Sequence, residues 1–360
     1  MTNKSLIAAN VRQLSLFSDG EVRGNTIMSH DLLPRFLHSR HNKILTHEDY
    51  VEEGERWIQL SNGEFFTIEP GNIRRPDGNI VYVYPGTRES LVEECIMAFA
   101  SKGEFVPEKG EPGYIYNGVG GLQVVFTLYQ LRMELKNRHK EYNLRELSEA
   151  LEVLFKSNYG RGIKRTLTNK EDKLVPDSKG KRRYMQSFDR IEHEAPKKSA
   201  IRSGTVIRIV LCDEATKQIL AGQYLSYNSK CSMEMKSPVA RYLYKYLVQC
   251  WRNANLRGQR GEMLEISQND LLQDSGYPTP DNVSKRKAIF LKTINELIDA
   301  DIIQPLAPIN SIIEVKASRR IIDIIYNLSP SKAFVKHQIE ANIRMRKGKE
   351  VISHICGSYC

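Results

Sequence analysis

"TPDNVSKRKAIFLKTINELIDADII", residues 279–303, is the stretch on which the reading of the chain turns. At about 100° per residue, Val283, Phe290, Leu291, Ile294, Leu297 and Ile298 fall within an arc of roughly 120°, which predicts one long helix with a core-facing stripe. Asp281 or Asn282 opens it. The opposite side carries Lys285, Ile289, Lys292 and Glu296, flanked by Asn282, Arg286 and Thr293, while Lys287 points to the edge of the apolar arc and must snorkel outward. Three basic residues in the first turn oppose the helix dipole and cost stability unless an anion answers them. A solvated face is the plain alternative for such a basic side. Duplex DNA would answer the charges, because a recognition helix enters the major groove with its N-terminal half foremost. There Lys285, Arg286 and Lys292 can reach phosphates or guanine edges, and Asn282 and Ser284 can reach bases or phosphates.

The neighbourhood of this helix has a definite order. "SPVARYLYKYLVQCWRNAN" reads as a helix with Val239, Tyr242, Leu243, Tyr246, Leu247 and Cys250 on one face. "EMLEI" reads as a short strand, and "SQNDLLQDSG" as a short helix with Ser267 as cap and Gly276 as stop. After the long helix, "IIEVKASRRIIDIIYNL" alternates like a hairpin with a basic tip from Lys316 to Arg320, so Lys316, Arg319 and Arg320 join the expected contacts. Helix, strand, helix, helix, hairpin is the order of a winged helix.

The same grammar is expected upstream. "TRESLVEECIMAFASKG" reads as a helix between Thr87 and Gly103, with Leu91, Cys95, Met97, Ala98 and Phe99 near one face. "QVVF" reads as a strand, Thr127 caps "LYQLRMELKNR", and Asn143 caps "LRELSEALEVLFKS", whose Leu144, Leu147, Leu151 and Leu154 form an apolar stripe. "TVIRIVLC" and "QILAGQYLSYN" read as paired strands around "DEATK", a wing hairpin preceded by a long charged insertion. In this first unit's third helix Glu146, Glu149 and Glu152 dominate the polar positions, leaving Arg145 and Lys156 as the basic ones. Its wing is therefore expected to grip phosphate through Arg161, Lys164, Arg165 and the "KGKRR" run with Lys181, Arg182 and Arg183. "SYNSKCSMEMKS" reads as a linker. Nearer the front, "WIQLSNGEFFTIEP" and "GNIVYVYPGT" read as strands with a turn at "GNIRRPDG".

The expected fold class is thus α+β: two tandem winged-helix domains with a small N-terminal extension. The expected divisions are an arm with a strand-rich element at 1–85, a first winged helix at 86–226 with a basic insertion at about 164–204, a second at 237–330, and a basic helix and tail at 331–360.

The chain of 360 residues carries a formal charge of +10. Residues 156–210 hold fifteen Lys or Arg against six Asp or Glu, so nearly the whole excess sits in one stretch and points to a polyanionic partner. No apolar run approaches the roughly 18 to 20 residues that cross a bilayer, and the first twenty residues lack a continuous signal-peptide core, so no membrane partner and a cytoplasmic location are expected. The six cysteines are scattered and expected to be reduced. His354, Cys356 and Cys360 fit no standard zinc spacing, so no metal is expected. "GxxxxGK[ST]" occurs nowhere and "GVGG" at 118–121 is too short for a nucleotide fingerprint. No cofactor, no catalytic residue and no enzymatic activity are expected.

The segments "YPGTRESLVEECIMAFAS", "VVFTLYQLRMELKNR" and "YNLRELSEALEVLFKSN" resemble those of replication initiators of theta-replicating plasmids and related replicons, of the TrfA and RctB kind. The likeness runs from about residue 80 to 330. It implies binding to short direct repeats (iterons) of double-stranded DNA at an origin, opening of adjacent AT-rich DNA, recruitment of host initiator and helicase machinery, a homodimer or monomer–dimer equilibrium, and a nucleoid- or plasmid-associated location. A dimeric winged-helix transcription regulator is the alternative reading of the same units. An RNA-binding or scaffold role is disfavoured by the lack of a stacked-aromatic RNA motif.

Overall fold

The computed structural model describes residues 23–26, 31–38, 44–75, 77–102, 113–116, 122–166, 172–176, 181–191, 205–220, 225–254, 263–306 and 311–343. Residues 1–22 of the expected arm, "GVGG", the cysteine-containing tail and parts of the basic insertion lie outside these residues. Within them the chain is mixed α+β and divides into two compact units: 34–220, and 23–33 together with 225–343.

The first unit is centred on the helix Thr87–Lys102, buried at every position from Leu91 to Ala100. One apolar face was expected; burial is instead all round, because the helix lies between the strand Leu122–Thr127 and the helices Leu128–Lys136 and Leu144–Lys156. Its buried Glu93 is answered by Arg35, whose two guanidinium nitrogens donate to the carboxylate at 2.7 and 2.9 Å. The same guanidinium lies over the rings of Phe36, Tyr159 and Tyr184. Such a pair stabilises only while both partners are present, since removing one strands a buried charge.

Thr127 and Asn143 each cap their helix in a reciprocal box, with Gln130 and Glu146 reaching back to the cap N–H. Leu147, Leu151 and Leu154 are fully buried as expected, joined by Ala150 and Val153. The antiparallel sheet runs Met185–Ile191, Val206–Leu211, Leu122–Thr127, Gly113–Tyr116.

Three readings of this unit change. "DEATKQIL" is a helix, Asp213–Leu220, with two acids in its first turn where the helix dipole favours them. The hairpin partner of Val206–Leu211 is therefore the preceding strand Met185–Ile191. The basic stretch before that strand is not a wing: Asn158–Thr166 pairs with Asp172–Pro176 on one edge and with Phe65–Glu69 on the other. Consequently the strand-rich front element, Arg56–Gln59 with Phe65–Glu69, shares a sheet with the insertion and belongs to the body of the unit. Within "GNIRRPDG", Gly71–Arg74 is itself a strand, paired with Ile80–Val83, and the turn is confined to the residues between.

In the second unit, Leu225–Asn228 pairs with Arg23–Thr26, and Asn228 caps the short helix Ser229–Glu234. The expected linker is thus ordered structure with Ser229, Ser232 and Met233 buried. Then follow the helices Pro238–Cys250, Gln268–Asp274 and Val283–Asp299, capped by Ser237, Ser267 and Asn282. The antiparallel sheet places Arg320–Leu328 between Leu264–Ser267 and Ile312–Ala317. A last helix spans 332–343. Phe290, Ile294 and Leu297 fill one core with Val239, Leu243, Leu247 and Tyr326, the Phe290 and Tyr326 rings stacking at 4.1 Å.

The second unit runs helix, strand, helix, helix, strand, strand, and the first contains the same run, with Gly113–Tyr116 before its first strand and the strands between Asn158 and Arg183 inserted after its third helix. In each run the last strand lies between the other two, and the first unit's sheet adds Gly113–Tyr116 beside Leu122–Thr127 as a fourth.

Candidate nucleic-acid interface

The helix Val283–Asp299 turns a narrow face to solvent. Ser284, Lys285, Ala288, Lys292, Asn295 and Asp299 are exposed, and at 3.6 residues per turn they share an arc of about 100°. Over the first three turns that face is small, hydrogen-bonding or cationic, and its carboxylate stands at the far end. This is the composition that fits a groove: short side chains let the backbone approach, while Lys, Ser and Asn reach out.

The face is rotated from the one the sequence predicted, and the cause is local. Thr293 is fully buried with its hydroxyl 3.4 Å from that of Ser237. Glu296 accepts from the backbone N–H groups of Lys236 and Ser237 at 2.9 Å, closing the start of the helix Pro238–Cys250. Both residues pack toward that helix and swing Ala288 and Asn295 outward. These two were missed in sequence; the signal was the spacing of Ser284, Ala288, Lys292 and Asn295 at steps of four, four and three, as regular as the apolar stripe.

Of the basic residues assigned to this helix, Lys285 and Lys292 are exposed. Arg286 differs. Its guanidinium donates to the carbonyls of Pro280 at 2.9 Å, Asp281 at 3.1 Å and Ile322 at 3.2 Å. It latches the helix start to the loop before it and to the second strand of the hairpin, and does not face away from the fold as the sequence reading had it. Asn282 spends its side-chain oxygen on the N–H groups of Ser284 and Lys285.

The hairpin Ile312–Ala317 and Arg320–Leu328 carries Lys316, Arg319 and Arg320, all exposed, with Lys316 paired to Glu314 at 3.1 Å. Its register skips at Ile322: Val315 faces Asp323, and Lys316 faces Ile321. The bulge takes Ile322 out of the ladder, and its carbonyl accepts from Asn269 Nδ2 at 2.9 Å as well as from Arg286. Next to it Asp323 accepts from Ser267 Oγ at 2.6 Å and from the Asn269 N–H at 3.1 Å. Short helix, long helix and hairpin are thus tied at one point, so the cations on helix and hairpin move as a unit.

The corresponding helix of the first unit offers no such face. On the helix Leu144–Lys156 only Arg145 is exposed. Strand Gly71–Arg74 lies against the helix so closely that a Cβ at Gly71 would stand 3.0 Å from the Val153 carbonyl and 3.1 Å from Ser157 Oγ. Val153 packs with Ile73 and Val83. Its polar side chains are committed inside the unit: Glu146 to the cap, Glu149 to Arg88 at 3.0 Å, Glu152 to Lys156 at 2.7 Å.

Nor are the basic residues of the insertion uniformly free. Lys181 is clamped between Glu69 and Glu55, the latter at 3.3 Å, and Arg182 pairs with Glu214 at 3.2 Å. Burial and a hydrogen bond to Glu69 push the Glu55 carboxyl up to about 7. Burial also works to raise Glu69, but hydrogen bonds from Glu55, Lys181 and Asn158 hold it below the usual range. Arg161 is exposed, 3.9 Å from Glu64, and Arg183 is exposed. Lys164 and Arg165 lie on strand Asn158–Thr166 opposite Leu174 and Lys173.

Among the described residues no helix is long and apolar enough to cross a membrane. No family model and no curated protein matches the chain. Two solved structures of RctB domains 2 and 3 are similar at 11% identity. One covers 82% of this chain and 94% of its own with a TM-score of 0.44; the other covers 86% and 98% with a TM-score of 0.42. At these values the likeness carries no argument about function.

Proposed function

We propose that the second unit is a winged helix that binds duplex DNA, its helix Val283–Asp299 in the major groove and its hairpin as the wing. The observation that carries this is the exposed arc of Ser284, Lys285, Ala288, Lys292 and Asn295, free of carboxylates until Asp299. Lys285 sits in the helix's first turn, where the dipole repels it, and a phosphate there removes that cost.

The chain as a whole is, on this reading, a replication initiator without catalytic activity. It binds repeated sites at an origin, helps open neighbouring AT-rich DNA and recruits host replication proteins, as a homodimer or in monomer–dimer equilibrium. The repeated order of elements supports this choice over a dimeric regulator. Palindromic sites mirror a two-fold axis between identical subunits, whereas one chain with two unlike modules presents an asymmetric surface and suits direct repeats. The modules divide the work: the second reads bases, and the first, with its third helix covered, holds phosphate or protein.

Selection of duplexes from a random pool by the full chain tests the reading, followed by permanganate probing of a supercoiled plasmid carrying the selected site in tandem beside an AT-rich segment. Non-palindromic sites and reactive thymines in that segment are expected. Palindromic sites with unreactive thymines would instead identify a regulator, and no enrichment over a pool without protein would remove DNA binding altogether.

A further inference from the structure

The strand Ile312–Ala317 lies at the edge of the second unit's sheet, and among the described residues no strand pairs with its outer side. Ser311 accepts from the Asn327 N–H at 2.9 Å, and Ala317 and Arg320 are the paired residues that flank the turn. By alternation, Ser311, Ile313, Val315 and Ala317 turn their backbone groups toward Arg320–Leu328. The N–H and carbonyl groups of Ile312, Glu314 and Lys316 therefore point outward, a row of donors and acceptors open to a further strand.

Edges of this kind are ordinarily blunted by proline, by unopposed charge or by shortness. This one has six residues and no proline, and the charge of its one lysine is answered by Glu314 at 3.1 Å. Its side chains alternate, with Ile313, Val315 and Ala317 on one face and Ile312, Glu314 and Lys316 on the other. Ile312 and Ile313 are each 43% exposed, so the edge also carries apolar surface that the unit itself does not cover.

We propose that Ile312–Ala317 pairs antiparallel with the same strand of a second copy of the chain, about a two-fold axis at Val315. Such a ladder requires outward-pointing residues to face one another, so only registers in steps of two are open. With the axis at Val315, Glu314 faces the second copy's Lys316 and Lys316 faces its Glu314, both as hydrogen-bonded pairs. A slip of two residues either way sets Glu314 on Glu314 or Lys316 on Lys316, like charges directly opposite. Charge thus selects one register, and it selects a second copy over an unrelated strand, because the complement of this edge is the edge itself. On the other face the register sets Ile313 against the second copy's Ala317 and Val315 against its counterpart, a continuous apolar ribbon. The paired run ends before the turn, so Arg319 stays outside it. This gives the self-association of the proposed reading its surface, and it needs no DNA.

The test is sedimentation of the full chain without DNA, over about 1 to 100 μM, at about 0.15 M salt, where attraction between distant charges is screened. The wild type should dimerise within that range. Glu314→Lys makes the edge all-cationic and Lys316→Glu makes it all-anionic, and each alone should weaken the dimer by about tenfold or more. An equimolar mixture of the two variants should form a heterodimer within about threefold of the wild-type affinity, since each cation again meets an anion. That recovery cannot come from chains that have failed to fold. A wild type that stays monomeric, single variants that dimerise as the wild type does, or a mixture that stays monomeric would each overturn the proposal. All three outcomes leave the DNA-binding reading standing, and loss of that reading in the duplex selection leaves this pairing untouched.

Discussion

Leu144–Lys156 and Val283–Asp299 hold the same place in two runs of elements that share one sheet order, and their surroundings could hardly differ more. The first has a single exposed residue, Arg145, and a strand pressed on its back; the second shows an arc of six residues to solvent. Their sequences carry the cause. The first unit's helix has apolar residues on two sides, with Val153 serving Ile73 and Val83 while its leucines serve the main core. The second has one apolar stripe and, opposite it, side chains too small or too polar to attract a covering strand. A shared arrangement of elements is therefore not a shared function: what decides it is whether the third helix has one buried face or two.

Reversing charge on the open face is the sharpest test of that difference. Lys285→Glu with Lys292→Glu should weaken duplex binding by about 3 kcal/mol or more, since two contacts turn repulsive. Arg145→Glu on the covered helix should cost less than about 0.5 kcal/mol in the same titration. Equal losses would mean that both helices meet DNA, and the contrast would be gone.

The cover itself can be forced. Gly71→Val places methyl groups where a Cβ already lies 3.0 to 3.2 Å from Val153 O, Ser157 Oγ and Lys156 Cβ. Overpacking of this kind costs about 1–3 kcal/mol. Thermal unfolding should fall accordingly, and amide exchange should quicken in 144–156 while 283–299 keeps its protection. Unchanged exchange in 144–156 would show that the strand does not cover that helix.

The sequence carried the elements themselves more faithfully than their partners. The capped helices at Thr127, Asn143, Ser267 and Asn282 were legible because a cap is a local contact between residues two or three apart. Lys285, Lys292, Arg319 and Arg320 were legible as exposed cations for the same reason. Long-range pairing was not. Lys181 meets Glu55 and Glu69 across more than a hundred residues, and Phe65–Glu69 finds Asn158–Thr166 at a similar separation, so the basic insertion read as part of a phosphate-gripping wing. Arg286 was misplaced by a subtler route: its partners are carbonyls, one of them released by a bulge, and carbonyls leave no mark in a sequence.

That latch makes the next contrast measurable. Arg286→Ala removes three hydrogen bonds to backbone oxygens and should cost about 1–2 kcal/mol of stability, with faster amide exchange around Ile322. DNA affinity should fall as well, but through a loosened wing, so the salt slope should change by less than the roughly 0.9 expected for a lost phosphate contact. Lys285→Ala should do the reverse, flattening the slope while leaving the melting temperature within about 1 °C. An Arg286→Ala variant with unchanged stability and a flattened slope would return that residue to the DNA.

The smallest effect separates the units by pH. Glu55 has a carboxyl raised to about 7 when folded, well above an unfolded glutamate near 4.3. Between those values the folded chain holds a proton that the unfolded chain releases. The stability this contributes is present in full below about pH 4.3 and is lost as pH rises through about 7. Glu69, held low by its hydrogen bonds, works in the opposite sense only at the acid end. The first unit should therefore lose about 2–4 °C of melting temperature between pH 5 and 8. Glu55→Gln, which keeps the hydrogen bond and cannot ionise, should flatten that dependence. In the second unit burial raises the Asp270 carboxyl above its ordinary value, so its contribution falls at the acid end of the range. A pH-dependent loss that tracks amide exchange in 263–328, and survives Glu55→Gln, would place the sensitive group in the wrong unit.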